Sequence, residues 1–393
     1  MNQTSRHTPV VLQTGFRVFF LGAAVYAVVS MIYWKMFYVM GKNIFVAMPL
    51  TVWHGHEMIF GFTMAVIAGF LLTAVMNWTG LPTLSGIPLL ILFLLWAAGR
   101  VLAFMPSSVP LWPLAACDLA FIAFLAAAVI RPIIAVKQWK QSAVFSKLLL
   151  IFIAAAVFYV ELAHANLVAE RKALRFCIYM IISLIFTVGR RIMPFFTEHG
   201  VGYPVTLRNS RALDMISLAA LVVFSILDVF WPQPAVIIFL CTVLVIAHSL
   251  RLAGWYTPGI WRKPLLWVLF IGYAFLILGF VLKIFTVAGS RPDDLALHAW
   301  TAGGIGIFTL GMMARVSWGH TGRDISRPPR LIVPMFAAVV MAAVVRVFPP
   351  IFYEPYYIIW IAVSQVFWMT AFGLFLIGYG KVLISPRADG RPG

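Results

Sequence analysis

The chain carries eight histidines, and most of them fall inside apolar stretches. Ionisable groups in such stretches are costly and usually face the interior of a helix bundle. Imidazole is also a good ligand for iron and copper. His56 and His298 open two segments that align without a gap, His56–Gly80 and His298–Gly322. Gly61 and Gly303 follow at one equivalent position, Gly69 and Gly311 at another, and Thr79-Gly80 and Thr321-Gly322 close both. Two histidines at one depth, with small residues where a porphyrin could lie against backbone, suit axial ligation of a haem. Arg100 and Arg346 end the next helix in each case, where a guanidinium could neutralise a haem propionate. The competing reading is a pair of interfacial histidines hydrogen-bonded to neighbours, and both stay open.

The remaining candidates are weaker. His54 stands two residues before His56, so on a straight helix it points the other way. It could face His164 and Glu161, three apart on one helix face, in a cluster that holds copper or a second haem, or simply caps the outer rim. His199, His248 and His320 fall near three inner helix ends. Three imidazoles could form a trigonal copper site, with loop histidines at an interface as the bland alternative. Glu57 suits an acceptor that orients a histidine, or a solvated carboxylate. Asp118 and Asp228 suit a proton path or structural pairing. Arg190-Arg191, Arg315 and Arg323 read as anchors to anionic lipid headgroups, with quinone or anion binding as the other use. Trp53, Trp78 and Trp318 read as interfacial aromatics. His7 belongs to the N-terminal tail. Cys117, Cys177 and Cys241 each stand alone, and no CxxCH occurs, so any haem is expected to be of the b type. No phosphate-binding loop, nucleophile elbow or HExxH is present.

The elements that must position these groups follow from composition. Of 393 residues, 63% are hydrophobic and 10% charged, and the mean hydropathy is +0.99. Lipid must be the solvent for most of the surface. The expected fold is an all-α polytopic membrane protein, one transmembrane domain over 1–393 with about twelve spanning helices. The expected spans run roughly 16–34, 53–78, 87–105, 111–131, 145–168, 173–194, 213–231, 234–253, 265–288, 296–317, 330–348 and 357–384. The first apolar run continues into a full span, which does not read as a cleavable signal peptide. The net charge of +17 is a matter of topology rather than of nucleic-acid binding. About two thirds of the Lys and Arg fall in segments that are inner if both termini are cytoplasmic.

The alignment extends to a third segment. Phe176 stands where the histidine would be, and Gly189 and Gly200 keep their places. The three starts lie four expected helices apart, which implies three pseudo-symmetric four-helix units, about 16–131, 145–253 and 265–384. The first and third keep a His and an Arg. The second keeps neither.

Several of these stretches resemble one family. His54-Gly55-His56-Glu57-Met58-Ile59-Phe60-Gly61-Phe62 is similar to the HxHEMxFGF signature of the NnrS family. Gly303 to Arg315 and Gly319-His320-Thr321-Gly322-Arg323 resemble its second signature. Phe16 to Phe20 and Gly189 to Thr197 match its style. The resemblance implies a bacterial inner-membrane protein, associated with haem and copper and with resistance to nitric oxide. By that likeness His54, His56, His298 and His320 fall inside signatures, and His248 looks family-like. The architecture also resembles the catalytic subunit of haem–copper oxidases and nitric oxide reductases. It departs from them in having one histidine within helix 10 and none within helix 6, which argues against a conventional binuclear centre. The expectation is a haem ligated by His56 and His298 that binds or turns over nitric oxide or transfers electrons, with a quinone or respiratory donor as partner. A transporter using a central cavity, without haem, is the alternative.

Overall fold

The structure is a computed structural model that describes residues 8–42, 46, 48–106, 108–289 and 293–391. His7 lies outside the described residues. All regular structure among them is helical. Eleven helices are long and apolar enough to cross a membrane: α1 Gly15–Tyr38, α2 Leu50–Thr79, α4 Trp112–Ala135, α5 Trp139–Ala163, α6 Leu167–Gly200, α7 Arg211–Phe230, α8 Pro234–Gly254, α9 Pro264–Val287, α10 Asp293–Gly319, α11 Ile332–Phe352 and α12 Tyr357–Ile384. The expected third span is the shorter apolar helix α3, Gly86–Leu102. Its 17 residues rise about 25 Å, just under a hydrocarbon core of about 30 Å.

Local chemistry explains the breaks. Gly80 ends α2 in the left-handed region, with φ 70°, and Leu81-Pro82 cannot continue the helix. Pro234 and Pro264 sit in the first turn of α8 and α9, where the missing N–H is no loss. Ser210 caps α7, its Oγ accepting from the Leu213 N–H at 3.4 Å. α6 continues through Pro194 to Gly200, beyond the expected end at 194.

The sequence repeat has a backbone counterpart. Directly after His56, residues Glu57–Thr63 wind as a π-helix. Directly after His298, residues Ala299–Gly306 do the same. α6, with Phe176 in place of the histidine, is α-helical throughout. π segments inside α-helices are rare and concentrate at functional sites. They occur here only where the repeat keeps its histidine, among the described residues.

The chain divides into two compact units. The first comprises Met1–Cys177, Met312–Leu331 and Phe372–Gly393, and the second Ile178–Gly311 and Ile332–Ala371. This division cuts across the three sequence repeats. In the first unit α1 packs along α2, and α3 pairs with α4 and α4 with α5. In the second, α9 packs on α8 and on the π segment of α10, and α7 packs on α8.

Candidate functional site

In the first unit, four helices bring charged groups to one buried point. His56 and Glu57 come from the start of the α2 π segment, Arg100 from the end of α3, Asp118 from α4 and Tyr159 from α5. Nδ1 of His56 lies 2.5 Å from Oε1 of Glu57. Arg100 Nη1 donates to Glu57 Oε2 at 2.6 Å, and its Nη2 donates to Asp118 Oδ1. The guanidinium therefore bridges two carboxylates. Tyr159 donates to Asp118 Oδ2 at 2.6 Å, and Tyr26 on α1 donates to Glu57 Oε2. His56 and Glu57 are fully buried, and Arg100 is 4% exposed.

Proton placement follows from these partners. The Tyr159 hydroxyl proton goes to Asp118, so its oxygen accepts from His56 Nε2, 2.7 Å away. Nδ1 faces a carboxylate oxygen and also donates. With both nitrogens protonated, His56 and Arg100 balance Glu57 and Asp118, as a buried cluster requires. Gly61 permits the arrangement. A Cβ there would run into the Tyr26 ring and lie 3.0 Å from Glu57 Oε2. Trp96 donates to the Gly61 carbonyl at 2.8 Å.

The second unit repeats the theme with looser contacts. His298 Nδ1 donates to the Asp294 carbonyl at 2.7 Å. The Asp294 carboxylate accepts from Tyr357 at 2.6 Å and from Arg346 Nη2 at 3.3 Å. So His298 and Arg346, 48 positions apart in sequence, meet on one residue. The Asp294 side chain is 33% exposed, against 0% for Glu57. Arg346 Nη1 is buried with no partner among the described residues. Gly303 gives close approach to the Phe275 ring. Where the second repeat lacks His and Arg, Lys283 on α9 pairs with Asp228 at 2.8 Å, and Tyr179 donates to Asp228 at 2.5 Å.

The other histidines scatter. His54 stacks on Trp34, centroids 4.4 Å apart. His164 and His199 are exposed, and each ring sits on a carbonyl of its own helix, Val160 and Phe195, at 2.8 Å. His320 packs against Phe16, centroids 6.0 Å apart. His248 is fully buried. Its Nδ1 lies 2.6 Å from the Tyr273 hydroxyl, Phe186 stacks on it at 3.7 Å, and its Nε2 has no partner among the described residues. Arg251 beside it is fixed by Asp214 at 2.6 Å and Ser217 at 2.8 Å. Trp53, expected at an interface, is fully buried and donates to the Ala103 carbonyl at 2.9 Å. Asp118 and Asp228 are both structurally paired.

Sequence reasoning left four partners of these two clusters out: Tyr26, Tyr159, Tyr357 and Asp294. Each tyrosine is one of several aromatics in its apolar helix, without a spacing signal. Asp294 was detectable, since it precedes His298 by one helical turn.

Haem ligation needs a ring nitrogen with a lone pair. His56 retains none in this arrangement, and an aromatic ring fills the space beside each glycine, Tyr26 at Gly61 and Phe275 at Gly303. His298 fits better. Its Nδ1–H is spent on the Asp294 carbonyl, which fixes the ring in the way usual for metal-bound histidines. For copper, no group of three or more His, Cys, Asp or Glu assembles to hold an ion among the described residues.

Fold and site together define a polytopic helical membrane protein whose histidine and arginine pairs are each joined through an acidic residue. The chain belongs to the NnrS family: the family profile, described as NnrS protein, matches residues 10–387, nearly its whole length. No curated protein matches it.

Proposed function

We propose that this chain is a haem-binding membrane protein acting in the response to nitric oxide, with the haem held at the His298–Arg346 corner. Membership of the NnrS family supports the role in the nitric oxide response. The observation that carries the haem assignment is the meeting of His298 and Arg346 on Asp294. One face of that residue sets the imidazole tautomer and the other steadies the guanidinium. The bound group would supply an iron able to bind nitric oxide and to exchange electrons.

The chain's own residues do the rest. The Asp294 carbonyl orients His298. Tyr357 and the Asp294 carboxylate hold Arg346 Nη2, which leaves the buried Nη1 as a donor for a propionate. The His56 cluster serves as a closed charge-neutral joint that ties α1 to α5. A second axial bond from His56 requires its ring to part from Tyr159 and Asp118.

The test is an optical spectrum of the purified protein with and without nitric oxide. Wild type and His56→Gln are expected to show a Soret band that shifts on adding nitric oxide. His298→Ala is expected to lose it, and Arg346→Leu to retain haem poorly. An unchanged Soret band in His298→Ala overturns the assignment, as does its selective loss in His248→Ala.

A further inference from the structure

At one end of the first unit, several buried donors have no acceptor. Arg17 lies in the first turn of α1 and is fully buried. Its Nη1 donates to the carbonyls of Ser385 at 2.8 Å and Leu383 at 2.9 Å, and makes a longer contact with Val382 at 3.4 Å. These are carbonyls that the last turn of α12 leaves unpaired. Nε and Nη2 have no partner among the described residues. Those two N–H groups form the side of a guanidinium that grips an oxyanion with two parallel hydrogen bonds. Arg17 thus uses one nitrogen to hold a helix end and leaves its fork unmatched.

The neighbourhood supplies more of the same. The hydroxyls of Thr14, Ser317 and Tyr379 are also buried without a partner among the described residues. Thr14 sits just before α1, and its carbonyl accepts from the Arg17 N–H at 3.2 Å. Tyr379 stands one turn before Leu383, and its ring packs on Trp318, the neighbour of Ser317, at 5.9 Å. The local charge is positive, because Arg323 and Arg387 both act on Arg17. Asp389 is committed to Arg387 through two bonds, at 2.9 and 2.6 Å. Among the described residues no carboxylate pairs with Arg17, and a buried cation without a counter-charge is strongly disfavoured.

We propose that Arg17 anchors a binding site for a phosphate-type oxyanion. The fork takes two oxygens, and the hydroxyls of Ser317, Tyr379 and Thr14 are donors for the others. A phosphate offers more oxygens than a carboxylate, so it can meet the fork and the hydroxyls on separate atoms. The phosphate belongs either to an anionic lipid headgroup, which suits the end of a membrane bundle, or to free phosphate. The recognition chemistry is the same.

The test uses the full-length protein, delipidated in a neutral detergent, with its thermal unfolding midpoint as readout. Inorganic phosphate is titrated against chloride at equal ionic strength. Separately, phosphatidylglycerol is compared with diacylglycerol, which lacks the phosphate. A rise with inorganic phosphate assigns a free anion, and a rise with phosphatidylglycerol alone assigns a headgroup. Arg17→Lys keeps the charge but loses the fork, and should weaken binding about tenfold or more. If that variant folds poorly, Tyr379→Phe and Ser317→Ala each remove one hydroxyl and should weaken binding about fivefold. The proposal is overturned if neither phosphate nor phosphatidylglycerol raises the midpoint above its control. It also fails if binding survives unchanged in the Tyr379→Phe and Ser317→Ala variants.

Discussion

Arg100→Met tests the charge balance of the His56 cluster. The guanidinium contacts Glu57 at 2.6 Å and also holds Asp118, with side-chain exposures of 5%, 0% and 1% for the three residues. Met keeps the apolar stem of the side chain but carries no charge. Two carboxylates then face a single imidazolium in a site that excludes water. Removing one partner of a buried ion pair costs about 3–5 kcal/mol, mostly from the charge left behind. For a chain of this size that is a fall of roughly 4–6 °C in the unfolding midpoint. Thermal unfolding of the purified protein in detergent measures it. Adding Glu57→Gln removes the surplus carboxylate, leaving Asp118 opposite His56. The double variant should therefore be more stable than Arg100→Met alone. If the stability changes of the two single substitutions add to within about 0.5 kcal/mol, the residues are not coupled and the reasoning fails. A midpoint shift under about 2 °C in Arg100→Met refutes it as well.

Gly61→Ala should displace the Tyr26 ring from Glu57 and cost about 1–3 kcal/mol, with a much smaller penalty when Tyr26→Ala has already removed the ring. Unfolding midpoints of the single and double variants check this. A pH effect is expected at the other end of the same unit. Burial first, and the charge of Arg387 second, hold the His320 imidazole below its ordinary value of 6.5. Because the folded form binds the proton less readily than the unfolded one, the stabilisation is fully present above pH 6.5. It is lost as pH falls below that value. Hydrogen exchange in residues 385–391, which bond to Thr321 and to the His320 carbonyl, should quicken over that interval after correction for intrinsic rates. A His320→Gln variant that keeps the same pH dependence counts against the assignment.

Much of this was legible because lipid makes strong demands on sequence. A span must be long and apolar, so eleven expected helices reappear within a few residues and the twelfth as the shorter α3. The pairing of His with Arg in two repeats was legible too, since rare charges in apolar helices rarely stand alone. What joins them was not. Glu57 adjoins His56 in sequence, yet only the fold shows that it also reaches Arg100 and Tyr26. The π segments after His56 and His298 leave no periodicity signal over seven or eight residues. The protonation of His56 depends on the direction of one tyrosine hydroxyl on a helix about a hundred residues away.

The repeat presents His56 and His298 as equivalents, and the structure separates them. Both stand at the threshold of a π segment, and both are linked to an arginine through an acidic residue. In the first unit every link is short and fully desolvated, and each carboxylate has a cation. Opening that cluster for a ligand means exposing paired charges, which is expensive. In the second unit the acid is a third exposed, the arginine contact is 3.3 Å, and one arginine nitrogen is unmatched. A ligand carrying an acidic group improves that corner instead of disrupting it. The difference in burial fits the proposed roles, the His56 copy holding its own unit together and the His298 copy offering the binding corner. If a haem is found at His56 with Tyr159 and Asp118 still in place, this division of labour is wrong.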